Sequence, residues 1–229
     1  MEYRNELKFM ISDMDIERVR YRLLPLMSLD EHQGEHGYIV RSVYFDDIYD
    51  SYLDENKAGT DYRKKYRLRF YNGEVNLIRL EKKVKYRGMT QKIVQKLSRE
   101  ESDFLLSGAL GKEHERIIPP QNSLLKDVYF EMLRKKLAPK CIVEYERFAF
   151  VESKGNVRIT FDKNILGSRN TDRFYDFQID GNPVMPYGYH ILEIKYDELL
   201  PHYILQAVDI GNLHRQSFSK YYTARMAVG

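Results

Sequence analysis

Hydrophobic and polar positions alternate with period two in eight short stretches of the chain. These are Tyr3 to Ile11, Tyr38 to Asp46, Tyr62 to Tyr71, Asn76 to Tyr86, Met89 to Leu97, Lys140 to Phe150, Asn156 to Asp162 and Ile191 to Tyr196, and the alternation predicts strands. Several are joined by short glycine-bearing sequences, Asn72-Gly73-Glu74, Arg87-Gly88 and Lys154-Gly155-Asn156, so neighbouring strands are expected to pair as antiparallel hairpins. Elsewhere the apolar spacing becomes helical. Ser12 or Asp13 is placed to cap Met14 to Leu24, and Ser98 with Glu101 three residues on is a capping-box signature. Ser123 to Leu137 carries apolar residues at helical spacing, and His202 to Ala227 reads as mostly helical. No linker or repeat divides the chain, so a single domain over residues 1–229 is expected, of α+β class with a large antiparallel sheet.

The alternation separates charge as well as polarity. In Lys65-Tyr66-Arg67-Leu68-Arg69-Phe70 it puts Lys65, Arg67 and Arg69 on one face and Tyr66, Leu68 and Phe70 on the other. Glu81, Lys83 and Lys85 share a face in the next strand, Arg158, Thr160 and Asp162 oppose Val157, Ile159 and Phe161, and Glu6 and Lys8 oppose Leu7 and Phe9. Two architectures satisfy this pattern. One is a half-buried sheet whose charged face meets water. The other is an antiparallel β-barrel, closed with its charged faces inward and helices packed on its apolar outside; about eight strands enclose room for one small ligand. A basic lining of that kind repels itself unless an anion or interleaved carboxylates compensate it.

Composition narrows the chemistry. The 229 residues carry 37 Lys and Arg against 34 Asp and Glu, a formal net charge of +3, so an anion site has to come from local clustering. The single cysteine, Cys141, excludes an internal disulfide framework and fits a reducing compartment; in Cys141-Ile142-Val143 it is expected to be a buried thiol. The N-terminus lacks an apolar leader and no run reaches the length of a membrane span, so the sequence suggests a soluble, cytoplasmic protein. Histidines such as His114 lack metal-binding spacing, and no glycine-rich phosphate loop, nucleophile elbow or dinucleotide fingerprint occurs. Nucleic acid is not the expected partner, because the tyrosines are scattered through strands rather than set along an exposed basic stripe. Arginine forks and lysine point charges in one bore, with isolated glutamates, suit a phosphate chain and a divalent ion.

Several segments, taken in order, resemble a known family. They are Arg41-Ser42-Val43-Tyr44-Phe45-Asp46, Lys65-Tyr66-Arg67-Leu68-Arg69, Leu80-Glu81-Lys82-Lys83, Tyr145-Glu146-Arg147, Val157-Arg158-Ile159-Thr160-Phe161-Asp162, Leu192-Glu193-Ile194-Lys195-Tyr196 and Phe218-Ser219-Lys220-Tyr221. The set resembles the catalytic domain of vacuolar transporter chaperone (VTC) proteins, a branch of the triphosphate tunnel metalloenzymes related to CYTH domains. The resemblance implies a tunnel-shaped antiparallel barrel that binds triphosphate. In polymerase members the terminal phosphate of ATP extends inorganic polyphosphate and ADP is released, with Mn²⁺ or Mg²⁺. ATP and polyphosphate are the implied partners.

Carried over by motif, Lys8, Arg67, Arg69, Lys83 and Arg158 are the implied catalytic residues, and Lys92, Arg147, Ser219 and Lys220 the further phosphate-binding ones. Glu193 is the implied metal carboxylate, with Glu81 second. Each keeps a plainer alternative: Lys8 paired with Glu6, Glu193 with Lys195, Glu81 neutralising Lys83 or an arginine, Arg147 bridging to Glu144 at the rim. The wider superfamily begins with Glu-x-Glu-x-Lys, whereas this chain reads Arg4-Asn5-Glu6-Leu7-Lys8, which leans toward the polymerase branch. A tripolyphosphatase or nucleoside triphosphatase of the same fold, or a polyphosphate-binding module without turnover, remain the alternatives.

Overall fold

The computed structural model describes residues 4–108, 123–211 and 213–229; Tyr3 and His114 lie outside them. Eight strands follow one another around a curled antiparallel sheet. They are β1 (Asn5–Ser12), β3 (Tyr38–Asp46), β4 (Arg63–Tyr71), β5 (Ile78–Tyr86), β6 (Met89–Leu97), β7 (Ala138–Glu152), β8 (Val157–Ser168) and β10 (Tyr189–Tyr196), in the spatial order β1-β10-β8-β7-β3-β4-β5-β6. The two-residue strands β2 (Ser28–Leu29) and β9 (Asn182–Pro183) pair off this path with β7 and β8. The ends of the path meet where Arg4 and Thr90 exchange backbone hydrogen bonds of 3.1 and 3.3 Å, which closes the sheet into a barrel.

Local sequence sets the hairpins and helix starts. Arg87 and Gly88 both take positive φ, 49° and 80°, as a two-residue turn between twisted strands requires, and Tyr86 pairs with Met89 across it. Ser12 caps α1 (Asp13–Leu23) by accepting from the Asp15 amide, and Ser98 with Glu101 forms the full capping box of α3 (Arg99–Leu106). Helix α2 (Ser51–Ala58) was not legible from apolar spacing. It is started by two adjacent carboxylates, Asp46 accepting from the Tyr52 and Leu53 amides and Asp47 from those of Tyr49 and Ser51.

Two apolar layers lie outside the barrel. α3 and α4 (Ser123–Lys135) bury Leu105, Leu125 and Val128 against Val43, Leu68, Phe70 and Leu80. α1 and α5 (His202–Val208) bury Ile16, Val19 and Ile204 against Phe150, Ile159, Phe161 and Ile194. The helix expected over His202 to Ala227 is two helices, α5 and α6 (Lys220–Val228). Between them the chain runs along β1, where the Gln216 amide donates to the Lys8 carbonyl at 2.9 Å, and the Ser219 side chain starts α6.

α6 is also the exception to outside packing. Its Tyr221 and Ala224 join Tyr44, Cys141, Val143, Ile165 and Ile191, which lie on the inner face of the sheet. The alternation read in β8 holds through Asp162, then breaks: Glu146 pairs with Lys163 but Glu144 with Leu166. This bulge turns Ile165 and Gly167 inward. A Cβ on Gly167 would lie 3.0 Å from that of Ala224, so glycine permits the helix to approach this closely. Cys141 is fully buried and unpaired, as expected.

Candidate functional site

The rest of the inner face is a polar cavity of about 380 Å³, lined by eleven lysines and arginines and two glutamates. Register brings the charges together. In the β1/β10 ladder Glu6 lies opposite Lys195 and Lys8 opposite Glu193, and in the β4/β5 ladder Lys65 faces Lys83 and Arg67 faces Glu81. Across the barrel seam Lys83 Nζ donates to both Glu6 oxygens at 3.1 and 2.8 Å.

Of the residues singled out in the sequence, Lys8, Arg67, Arg69, Lys83, Arg147, Glu193, Ser219 and Lys220 line this cavity. Glu81, Lys92 and Arg158 are not among the lining residues. Glu81 shares the inward face with Arg67 but is fully buried, with Arg67 Nε and Nη2 on one of its oxygens at 2.7 and 2.5 Å, Arg69 at 3.9 Å and Lys92 Nζ at 3.3 Å. Arg158 is held by Asp30 at 2.6 Å and by the Tyr38 hydroxyl at 2.9 Å. Arg147 makes a two-pronged contact with Asp162 at 2.6 and 2.8 Å, while Glu144, its expected rim partner, goes to Arg41. Lys220 Nζ is 2.5 Å from the same Asp162, which fastens the start of α6 to β8.

Glu6, Lys65, Lys85 and Lys195 also line the cavity. Strand parity signalled all four, and Glu6, Lys65 and Lys195 fall within the quoted segments, but none of the four was assigned a phosphate or metal role there. Arg63, Asn56 and Arg215 also line it; Arg63 shares the strand parity of Lys65, whereas Asn56 on the unforeseen helix α2 and Arg215 in the strap before α6 lie where periodicity gives no signal.

The field of this lining is visible in its titrating groups. Burial pushes Lys8 and Lys195 down to about 8; Glu6 opposes the shift and neighbouring cations reinforce it. Burial also acts on Tyr145, but Arg147 and Arg69 outweigh it and bring the phenol down to about 8. For Glu81, Arg67, Arg69 and Lys92 outweigh burial and keep the carboxyl well below the usual range.

A pH dependence follows for the empty protein. The unfolded chain holds its lysine protons to about pH 10.4, whereas the folded protein gives up those of Lys8 and Lys195 near 8. The unfolded state therefore binds more protons in that interval, and stability rises with pH. The melting temperature without ligand is expected to climb between pH 7 and pH 9, and to do so less in Lys8→Met. A flat or falling profile in calorimetry contradicts this.

The barrel and its basic bore define a triphosphate tunnel fold. The chain belongs to the VTC domain family, whose model matches residues 3–228. No protein of curated function matches it significantly. Among solved structures, a putative adenylate cyclase from Bacillus halodurans superposes with a TM-score of 0.51 at 15% identity, over 90% of this chain and 86% of that one. A putative adenylate cyclase from Vibrio parahaemolyticus gives 0.51 at 10% identity, over 97% of each chain. At these identities the likeness concerns the fold alone. No helix among the described residues is long and apolar enough to cross a membrane.

Proposed function

We propose that this protein is a polyphosphate polymerase that transfers the terminal phosphate of ATP to a growing inorganic polyphosphate chain. The observation that carries the reading is the excess of eleven lysines and arginines over two glutamates in the lining of one cavity. In the reaction, an oxygen of the acceptor's end phosphate forms a bond to the γ-phosphorus of ATP. The bond from that phosphorus to the β-phosphate bridging oxygen breaks, and ADP leaves. The protein's work is to position the groups and offset their charge.

Arg67 and Arg69 are the forks for successive phosphates. Arg67 is held in plane by Glu81 and by the Tyr44 hydroxyl at 2.9 Å, and Arg69 by the Ser42 hydroxyl at 2.8 Å. Lys83 and Lys8 offset charge on the transferring group, and Arg147, Ser219 and Lys220 bind further along the bore. Lys92 and Arg158, beyond the lining, act on phosphates that run past it.

A divalent ion fits beside Glu193. That carboxylate and Glu6 share two neighbours, with Lys8 Nζ at 3.8 and 3.5 Å and Lys195 Nζ at 3.2 and 4.0 Å. Among the described residues the Thr160 hydroxyl, opposite Glu193 in the ladder, is buried without a hydrogen-bond partner, and no three His, Cys, Asp or Glu side chains form a metal cluster. Two carboxylates with substrate phosphate oxygens completing the shell suit Mg²⁺ or Mn²⁺. The ion would supply added neutralisation of phosphate charge. The side chain of Arg4, in the first position of the Glu-x-Glu-x-Lys pattern, instead pairs with Asp197 at 2.7 Å, which supports one metal carboxylate fewer than in a two-metal hydrolase.

One observation favours a second reading. α6 covers the inner face at one end of the bore, and a bore covered at one end suits short substrates and hydrolysis of tripolyphosphate or nucleoside triphosphate. Incubation with ATP and Mn²⁺, following ADP, free phosphate and polymer together, separates the two. Polymer with ADP is expected. ADP with free phosphate and no polymer overturns polymerisation in favour of hydrolysis, and tight polyphosphate binding without turnover leaves a binding module.

A further inference from the structure

The lysines of the cavity differ in what they face. Lys8, Lys83, Lys195 and Lys220 each lie within 4.0 Å of a carboxylate. Lys65 has two neutral partners instead: its Nζ donates to Asn56 Oδ1 of α2 at 2.6 Å and to the Ser219 hydroxyl, the cap of α6, at 2.8 Å. Among the described residues no ion pair to Lys65 occurs. Its charged surroundings are mostly of its own sign. Arg63 and Arg67 flank it on β4, Lys83 lies opposite on β5, and Lys8 faces it from β1. Among the leading influences on it the one anion is Asp46 of β3, and that carboxylate already accepts the Tyr221 hydroxyl at 2.5 Å. The Tyr221 ring of α6 lies 5.7 Å from its Nζ.

An ammonium group has three N–H donors, and two are used here. The third is available on a side chain that lines the cavity. We infer that Lys65 is a substrate-binding residue that captures one phosphate of the ligand and takes up a proton as it does so. The inference rests on the reading of the bore as a phosphate-chain site. Burial, followed by repulsion from Lys8, Arg63 and Arg67, brings this lysine down to about 7 in the empty protein. A phosphate oxyanion beside it reverses the sign of the nearest charge and favours the protonated form.

The test is calorimetric titration of the full chain with tripolyphosphate at pH 7, in buffers of low and high ionisation enthalpy, which counts protons exchanged on binding. Wild type is expected to take up roughly half a proton more than Lys65→Arg, since a group with a pKa of about 7 is half-charged there and arginine is charged throughout. Lys65→Arg is expected to bind within a few-fold of wild type, and Lys65→Met about tenfold more weakly or worse, the loss of one charged hydrogen bond. Lys65→Met serves the same proton count if arginine does not fit. Binding with undiminished proton uptake in both variants overturns the role of Lys65 while leaving the phosphate site intact. No tripolyphosphate binding by wild type overturns both.

Discussion

Replacing Glu81 with glutamine is expected to lower the melting temperature by about 6–20 °C, the largest stability loss of any single charge removal in the barrel wall. The reason is the number of cations that depend on it. Glu81 is fully buried, and Arg67, Arg69 and Lys92 all turn to it within 3.9 Å. Removing one partner of a buried ion pair leaves an uncompensated charge and costs about 3–5 kcal/mol. The isosteric amide keeps the volume but cannot neutralise two arginines. Tripolyphosphate is expected to restore part of the loss, because an anion in the bore supplies the missing charge. Mn²⁺ binding by the folded variant should be unchanged, since Glu81 stands outside the cavity lining. A melting point within a degree or two of wild type would remove Glu81 as the counter-charge of this wall, and lost Mn²⁺ binding would return it to the metal.

Glu193→Gln is expected to do the opposite, cutting turnover about 100–1,000-fold while stability changes by about 1 kcal/mol or less. Glu193 is buried like Glu81, but each cation near it has another carboxylate within reach: Lys8 and Lys195 have Glu6, and Arg147 has Asp162 at 2.6 Å. No cation is stranded when its charge is lost. What is lost is a carboxylate facing the cavity beside an unpartnered threonine hydroxyl. Activity assays paired with calorimetric Mn²⁺ titration test this, with weakened Mn²⁺ binding expected. Normal turnover in a folded Glu193→Gln protein would exclude Glu193 from the chemistry. A large drop in melting temperature would make it a structural counter-ion.

The contrast between these two glutamates marks how far the sequence could be read. Both occupy an inward-facing strand position with lysine two residues on, Glu81 before Lys83 and Glu193 before Lys195. Period-two geometry predicts that much and no more. Which cations each one meets depends on cross-strand register and on the seam, where Glu6 contacts Lys83 at a separation of 77 residues. Local sequence contains no record of either. The same holds for Lys65, whose face was legible but whose partners, Asn56 on α2 and Ser219 at the end of the strap, come from segments that periodicity does not signal.

Short-range physics was enough for the rest. Alternation located all eight barrel strands and their charged faces, and the Ser98–Glu101 box and the turn at Arg87-Gly88 were written locally because their hydrogen bonds close within four residues. α6 was not, since its inward docking depends on the bulge after Asp162 and on the absent side chain of Gly167, two features far from the helix in sequence. By itself, then, the sequence determined the strands and their two faces, one of them cationic, because each of these is a property of neighbouring residues; whether those faces met water or lined a bore it left open. Only the tertiary structure decided which carboxylates neutralise the wall and which face the ligand, because burial and charge pairing arise from segments that meet only when the barrel closes.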